Sequence, residues 1–201
     1  DEQGAAQARR EAAERLGVNP DAPTLLVTGG SLGALHVNES MTGAADALPE
    51  GAQVVHLTGR GKDEAVRAAV EAAGLSDRWH VIDYLTTMED ALAVADLVVC
   101  RSGAGTVAEM EALGLPCIYV PLPIGNGEQR LNAADHVAAG GAQLIDDKDF
   151  TADCVRRNVF PLLGSARLED MAAASQSLGR AGAARALADL ALEQVKEAGH
   201  E

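Results

Sequence analysis

Aromatic side chains are nearly missing from this chain: two Phe, two Tyr and one Trp, 2% of 201 residues. A core without them has to be built from Leu, Val, Ile and Ala, a set that suits helices packed closely on a sheet. Positive charge is scarce too, with 16 Lys and Arg against 30 Asp and Glu, a formal net charge of −14 and a pI near 4.7. A surface that tracks nucleic acid needs clustered Lys and Arg. Here Arg9–Arg10 and Arg156–Arg157 are isolated pairs on predicted helices, so nucleic acid is excluded and anionic membrane is a poor direct partner. The acidic surface reads as a solvating one.

Cysteine is equally sparse. Cys100, Cys117 and Cys154 are odd in number and far apart, no CxxC occurs, and the five histidines are scattered. That pattern argues against a disulfide framework or a metal site and fits reduced thiols in the cytoplasm. Cys100 and Cys117 sit in apolar runs, where a thiol acts as a small hydrophobe. No apolar run approaches the ~18 residues of a membrane-spanning helix, and no signal peptide is visible. The chain opens Asp1-Glu2-Gln3 without an initiator Met, which reads as a cut end.

What is present is an alternation. Apolar residues make up 47% of the chain. Strand-like runs fall at Leu25–Val27, Val54–Leu57, His80–Ile82, Leu97–Cys100, Cys117–Val120 and Gln143–Ile145. Helical patterns cover 4–16, 33–48, 61–73, 87–95, 104–113, 128–139, 151–163, 166–178 and 182–197. Near-continuous apolar strands separated by helices predict an α/β fold, a Rossmann-like, doubly wound parallel sheet of about six strands. The tail, with consecutive helices and no strand, is expected to be all-helical. Its last helix carries a mostly apolar stripe (Leu187, Leu190, Ala191, Gln194, Val195) that covers a sheet edge or docks on a further domain. The reading is one domain over 1–201: a linker and leading helix at 1–20, a sheet core at 24–150 and C-terminal helices at 151–198.

In such sheets ligands bind beyond the carboxyl ends of the strands, so the loops that follow them are decisive. After the first strand, Thr28-Gly29-Gly30-Ser31-Leu32-Gly33-Ala34 opens a helix. Glycines let a backbone approach a ligand, and a bare helix start favours an anion; the plainer alternative is a tight turn with Ser31 as N-cap. A dinucleotide fingerprint fails here, because Thr28 occupies the first glycine slot and Leu57-Thr58-Gly59-Arg60 supplies no acid for a ribose. After the fourth strand, Arg101-Ser102-Gly103-Ala104-Gly105-Thr106-Val107-Ala108-Glu109 opens a second helix. Two helix dipoles on one diphosphate would replace a metal ion, and Glu109 would accept from paired ribose hydroxyls. Equally, Thr106-x-x-Glu109 has the form of a capping box. After the fifth strand a Pro- and Gly-punctuated loop leads to Gln129 and Asn132, on one helical face, which would read sugar hydroxyls or simply be solvated. Tyr84-Leu85, after the third strand, offers backbone groups to a nucleobase edge.

Together GGSLGA, RSGAGTVAE and PLPIGNGEQRLNA, in this order and spacing, resemble the MurG family of bacterial glycosyltransferases. These are the UDP-N-acetylglucosamine:N-acetylmuramyl-(pentapeptide)-pyrophosphoryl-undecaprenol N-acetylglucosaminyltransferases. The resemblance spans about 24–197 and only the C-terminal, donor-binding half of a two-domain GT-B architecture; the acceptor domain is absent. It implies that Gly30 and Ser31 meet the donor diphosphate, the Leu85 backbone meets uracil, Ala104, Gly105, Thr106, Val107, Ala108 and Glu109 wrap the nucleotide with Glu109 on the ribose, and Gln129 reaches N-acetylglucosamine. Gly105 stands where some members carry a larger apolar residue.

The implied reaction is an inverting transfer from UDP-N-acetylglucosamine to the C4 hydroxyl of a lipid-linked muramyl-pentapeptide acceptor, a step of peptidoglycan synthesis. It takes place on the cytoplasmic face of the membrane, where the whole enzyme is peripheral. No catalytic residue, metal or cofactor is assigned to this chain, and on its own it is expected to bind donor weakly and turn over nothing. Three alternatives stay open: the donor subunit of a natural two-chain transferase, a non-catalytic nucleotide-sugar module and, least favoured, a nicotinamide oxidoreductase.

Overall fold

Along the first strand Leu25 and Val27 point to one side and Leu26 to the other, and all three are fully buried. A strand apolar on both faces needs a layer on each. The computed structural model, which describes residues 2–30, 34–180 and 182, supplies both layers. Six parallel strands, β1 (Thr24–Thr28), β2 (Gln53–Leu57), β3 (Trp79–Ile82), β4 (Leu97–Cys100), β5 (Cys117–Tyr119) and β6 (Ala142–Leu144), form one sheet in the order β3-β2-β1-β4-β5-β6. One face packs Leu25, Val27, Val54 and Ile118 against α2 (Leu35–Thr42), α3 (Glu64–Ala72) and the segment from Phe150 to Met171. The other packs Leu26, Val55, Val98 and Tyr119 against α1 (Glu2–Leu16), α4 (Met88–Val94) and α5 (Ala104–Leu113). Each such buried aliphatic contributes about 2 kcal/mol, so Leu, Val and Ala suffice where aromatics are few.

Polar contacts fix α1 to this frame. The Arg9 guanidinium grips both oxygens of Asp96 at 2.9 Å, and Asp96 also accepts from the Thr24 amide at 2.7 Å. Arg15 pairs with Asp90 of α4 in the same way and holds that carboxyl below its ordinary range.

The expected six strands and their parallel order are all present, and the helix expected at 104–113 is α5. Three other helices differ. The pattern at 33–48 yields α2 and, past Gly43, a separate 3₁₀ turn at Ala45–Ala47. The pattern at 128–139 divides at Ala133 into α6 (Glu128–Asn132) and α7 (Ala134–Ala138), beside the bond from the Asn132 amide to the Ser102 carbonyl. The pattern at 151–163 is a helical turn α8 (Ala152–Cys154), then π over Val155–Val159 and 3₁₀ over Phe160–Leu162. Pro161 explains this last one: it lacks an amide donor, and its ring conflicts with the carbonyl four residues earlier. A final helix, α9, covers 166–180. It starts against the first face through Leu168 and Met171 and ends on the second, where a Cβ on Gly179 would lie 2.4 Å from the Glu111 carbonyl of α5. The stripe at Leu187–Val195 lies outside the described residues.

A buried hydrogen-bond chain ties α2 to the end of β2. Trp79 Nε1 donates to His56 Nδ1 at 3.2 Å, His56 Nε2 meets Asn38 Oδ1 at 2.8 Å, and Asn38 Nδ2 donates to the Thr58 carbonyl at 3.0 Å. An indole N–H only donates, so His56 must carry its proton on Nε2 and stay neutral. Burial accordingly lowers its pKa from 6.5 to about 3. An unfolded His56 takes a proton near 6.5 and the folded one does not, so this stabilisation is complete above pH 6.5 and declines as pH falls toward 3. Between pH 6.5 and 5 the expected loss is about 2 kcal/mol. Urea midpoints at pH 7.5 and 5.0 measure it, and His56→Gln should flatten the difference.

Candidate functional site

The chain builds β1, β2 and β3 outward, then returns to place β4 on the free side of β1. This reversal sets Thr28 opposite Cys100 at the carboxyl edge. The loops after β1 and β4 therefore leave the sheet side by side, in the crevice where open α/β sheets bind ligands. Ser31, Leu32 and Gly33 lie outside the described residues; Gly30 and Ala34 are the described residues on either side. Gly30 takes φ +81°, and Ala34 precedes α2 with no side-chain cap.

The second loop starts α5 at Ala104, with Gly103 as N-cap and the first intrahelical bond from Val107 N to Gly103 O at 3.0 Å. Thr106 is thus already inside the first turn, and the capping box that Thr106 and Glu109 spell does not form. The cap residue has no side chain, so among the described residues the leading N–H groups of α5 stay bare, as anion binding requires. A Cβ built on Gly30, Gly103 or Gly105 would meet no atom of the described residues within 4 Å. Val107 and Met110 anchor α5 on the sheet. Gly105, Ala108 and Glu109 face outward, Glu109 one turn from Gly105 on the same face.

Leu85 lines a hollow of about 230 Å³ with Thr28, Gly30, Leu57, Gly59 and Tyr84. Below the ~300 Å³ of a drug-sized pocket, it accommodates one ring system rather than a whole sugar nucleotide. Larger hollows lie elsewhere, among them about 450 Å³ around Arg9 and Asp96 at the opposite edge of the sheet and about 470 Å³ around Gln143 and Cys154 beyond β6. Neither is flanked by bare helix starts, and the crevice is the stronger candidate.

Gln129 is half-buried, and its Oε1 accepts from Leu122 N at 2.9 Å and Ser102 N at 3.3 Å. Its Oε1 is thus a strut between two loops, and its NH₂ has no hydrogen-bond partner among the described residues. Asn132 donates to the Ser102 carbonyl at 3.0 Å, bracing the loop after β4. Arg101 is the residue that spacing hides. Its Nη1 donates to the Val120 and Pro121 carbonyls at 3.1 and 3.3 Å and to Asp147, joining three strand-end loops. Asp147 lies 46 positions later, and no local motif links the two. Ser102 Oγ, fully buried, has no hydrogen-bond partner among the described residues.

The glycosyltransferase family 28 C-terminal domain matches residues 24–189, from the first residue of β1 onward. This chain belongs to that family. Curated relatives of the family 28 domain carry the name UDP-N-acetylglucosamine--N-acetylmuramyl-(pentapeptide) pyrophosphoryl-undecaprenol N-acetylglucosamine transferase. That of Bifidobacterium adolescentis is 50% identical over 168 residues, 77% of this chain and 43% of the relative. That of Paenarthrobacter aurescens is 47% identical over 182 residues, 90% of this chain and 48% of the relative. The chain thus spans about half the length of the relatives it matches. Among solved structures, MurG of Acinetobacter baumannii superposes with a TM-score of 0.70 at 27% identity, over 83% of this chain and 48% of that one. WaaG, a glycosyltransferase of lipopolysaccharide biosynthesis, shares the fold at a TM-score of 0.66 and 18% identity, covering 86% and 46%. The family 28 domain is therefore a GT-B C-terminal, Rossmann-like domain, and the six-stranded sheet expected from the apolar runs is the sheet of that family.

Proposed function

We propose that this chain is the donor-binding half of an inverting glycosyltransferase that moves N-acetylglucosamine from UDP to a lipid-linked muramyl-pentapeptide. The observation that carries the proposal is the pairing of Thr28 with Cys100, which sets the loops leading into α2 and α5 on one crevice, with Ala34 and Gly103 as N-caps that make no side-chain cap bond. The N–H dipoles of the two helix starts stabilise the charge that grows on UDP as it leaves. Gly30 and Ser31 belong to the first start, and Ala104 to Glu109 to the second. Leu85 borders the base-sized hollow, and the free NH₂ of Gln129 is available to the sugar. The relatives' shared name supports this substrate assignment, and their extra length supports an acceptor-binding half outside these 201 residues. No residue of the crevice is assigned as general base; deprotonation of the acceptor hydroxyl belongs to that other half. Among the described residues no helix is long and apolar enough to cross a membrane, and a peripheral place on the cytoplasmic face is part of the same proposal.

Calorimetric titration with UDP tests it. The wild-type chain should bind weakly, and Glu109→Ala should weaken binding about tenfold by removing a charged acceptor for ribose hydroxyls. Glu109 is exposed, so the variant should unfold at the wild-type urea midpoint. No uptake of UDP at millimolar concentration contradicts the proposal.

A further inference from the structure

A nucleoside diphosphate brings at least two negative charges to a chain whose own net charge is −14. Helix starts answer with partial charges, each worth about half an elementary charge. A full cation at the crevice would change that balance, and most arginines nearby are committed elsewhere: Arg101 to Asp147 and Arg130 to Asp146.

Arg60 is different. It follows Gly59, which lines the 230 Å³ hollow, and its guanidinium carbon lies 3.7 Å from the centroid of the Tyr84 ring, which lines the same hollow from the β3 side. The contact bridges the mouth of the hollow between the loops after β2 and β3. Among the described residues no carboxylate lies within ion-pair distance of Arg60. Asp83, next to Tyr84, has one oxygen turned onto the Tyr84 amide at 2.8 Å. Stacking uses the face of the guanidinium and leaves its edge free. That edge presents N–H groups in the fork that matches a phosphate.

We propose that Arg60, shelved on Tyr84, is a phosphate-binding residue that supplies the full positive charge meeting the diphosphate of a nucleotide in this crevice. The inference rests on the donor-binding reading above and adds a residue to it. Tyr84 holds the arginine in place before the ligand arrives, so less side-chain freedom is lost on binding. The pair also separates contributions within one ligand: Leu85 and the hollow serve the base, and Arg60 serves the phosphates.

The test compares UDP with uridine on the 201-residue chain and its variants, followed by protein NMR, which registers weak binding. Arg60→Gln should weaken UDP about tenfold and leave uridine within about twofold. Arg60→Lys should keep part of the UDP affinity. Tyr84→Leu, which keeps the charge and removes its shelf, should lose a few-fold for UDP. Raising salt to 0.5 M should narrow the gap between wild type and Arg60→Gln, because the contact is between exposed charges. UDP binding unchanged in Arg60→Gln overturns the inference, as does an equal loss for uridine, which would place Arg60 on the base. If the wild-type chain takes up no UDP, the donor-binding reading fails and this inference with it. A wild type that binds beside an indifferent Arg60→Gln sinks the inference alone.

Discussion

Replacing Gly141 with alanine is expected to destabilise the domain by about 3 kcal/mol. The added Cβ would lie 2.3 Å from Ser175 Oγ and 2.7 Å from both His136 Cδ2 and Nε2. Those atoms have nowhere to go. Ser175 Oγ donates to the Gly141 carbonyl at 3.2 Å and so must accept from His136 Nε2 at 2.8 Å. That leaves His136 Nδ1 to accept from the Tyr119 hydroxyl at 2.9 Å. Every member of the chain has its partner, and His136 and Ser175 have no exposure. Moving either residue to admit a methyl group breaks the chain in a buried, low-dielectric place, where an unmade bond is expensive. Urea unfolding measures the loss. Ser175→Ala alone should lose about 1–2 kcal/mol, and the double variant should lose less than the sum, because the nearest clashing atom is gone. Simple additivity would mean that Gly141 is tolerated by backbone movement.

The second large effect is expected at Arg101. Arg101→Met strips a donor from two carbonyls and leaves Asp147, whose side chain is only 17% exposed, without its counter-charge. Breaking a buried pair from one side destabilises by about 3 kcal/mol. Replacing both ends with apolar residues, Arg101→Met with Asp147→Leu, should recover most of the stability, since no lone charge remains buried. It should not recover ligand binding. Arg101 lies two residues before the N-cap of α5, and the clamp is what fixes that helix start relative to the loops after β5 and β6. A stable double variant with UDP affinity down about tenfold separates positioning from folding. Wild-type affinity in a stable double variant would show that α5 holds its place through Val107 and Met110 alone.

These two sites mark where local reading of the sequence stops. The sheet was legible because each strand is a short apolar run and parallel strands are buried on both faces: Leu97–Cys100 reads as a strand and is one. The second helix start was legible for a similar reason, since Gly103 and small residues after a strand leave an uncapped turn. Side chains that act over distance were not. Arg101 with Asp147, His136 with Ser175 and Arg60 with Tyr84 are separated by 46, 39 and 24 positions, and nothing in the intervening residues announces them. Gln129 stands between these cases. Its place beside the crevice follows from its motif, but the binding of its carbonyl to two backbone amides, which orients the remaining NH₂, is a tertiary fact. Thr106 and Glu109 show the converse. Their spacing spells a cap, but the helix has already begun two residues earlier, at Ala104.

Amide NMR of the labelled chain during a UDP titration tests the placement of the nucleotide most directly. If the crevice between β1 and β4 receives it, the largest shifts will fall on Gly30, Leu85 and Ala104 to Thr106, at one edge of the sheet. Shifts gathered instead around Arg9, Asp96 and Leu168, which line the 450 Å³ hollow at the other edge, would contradict the account.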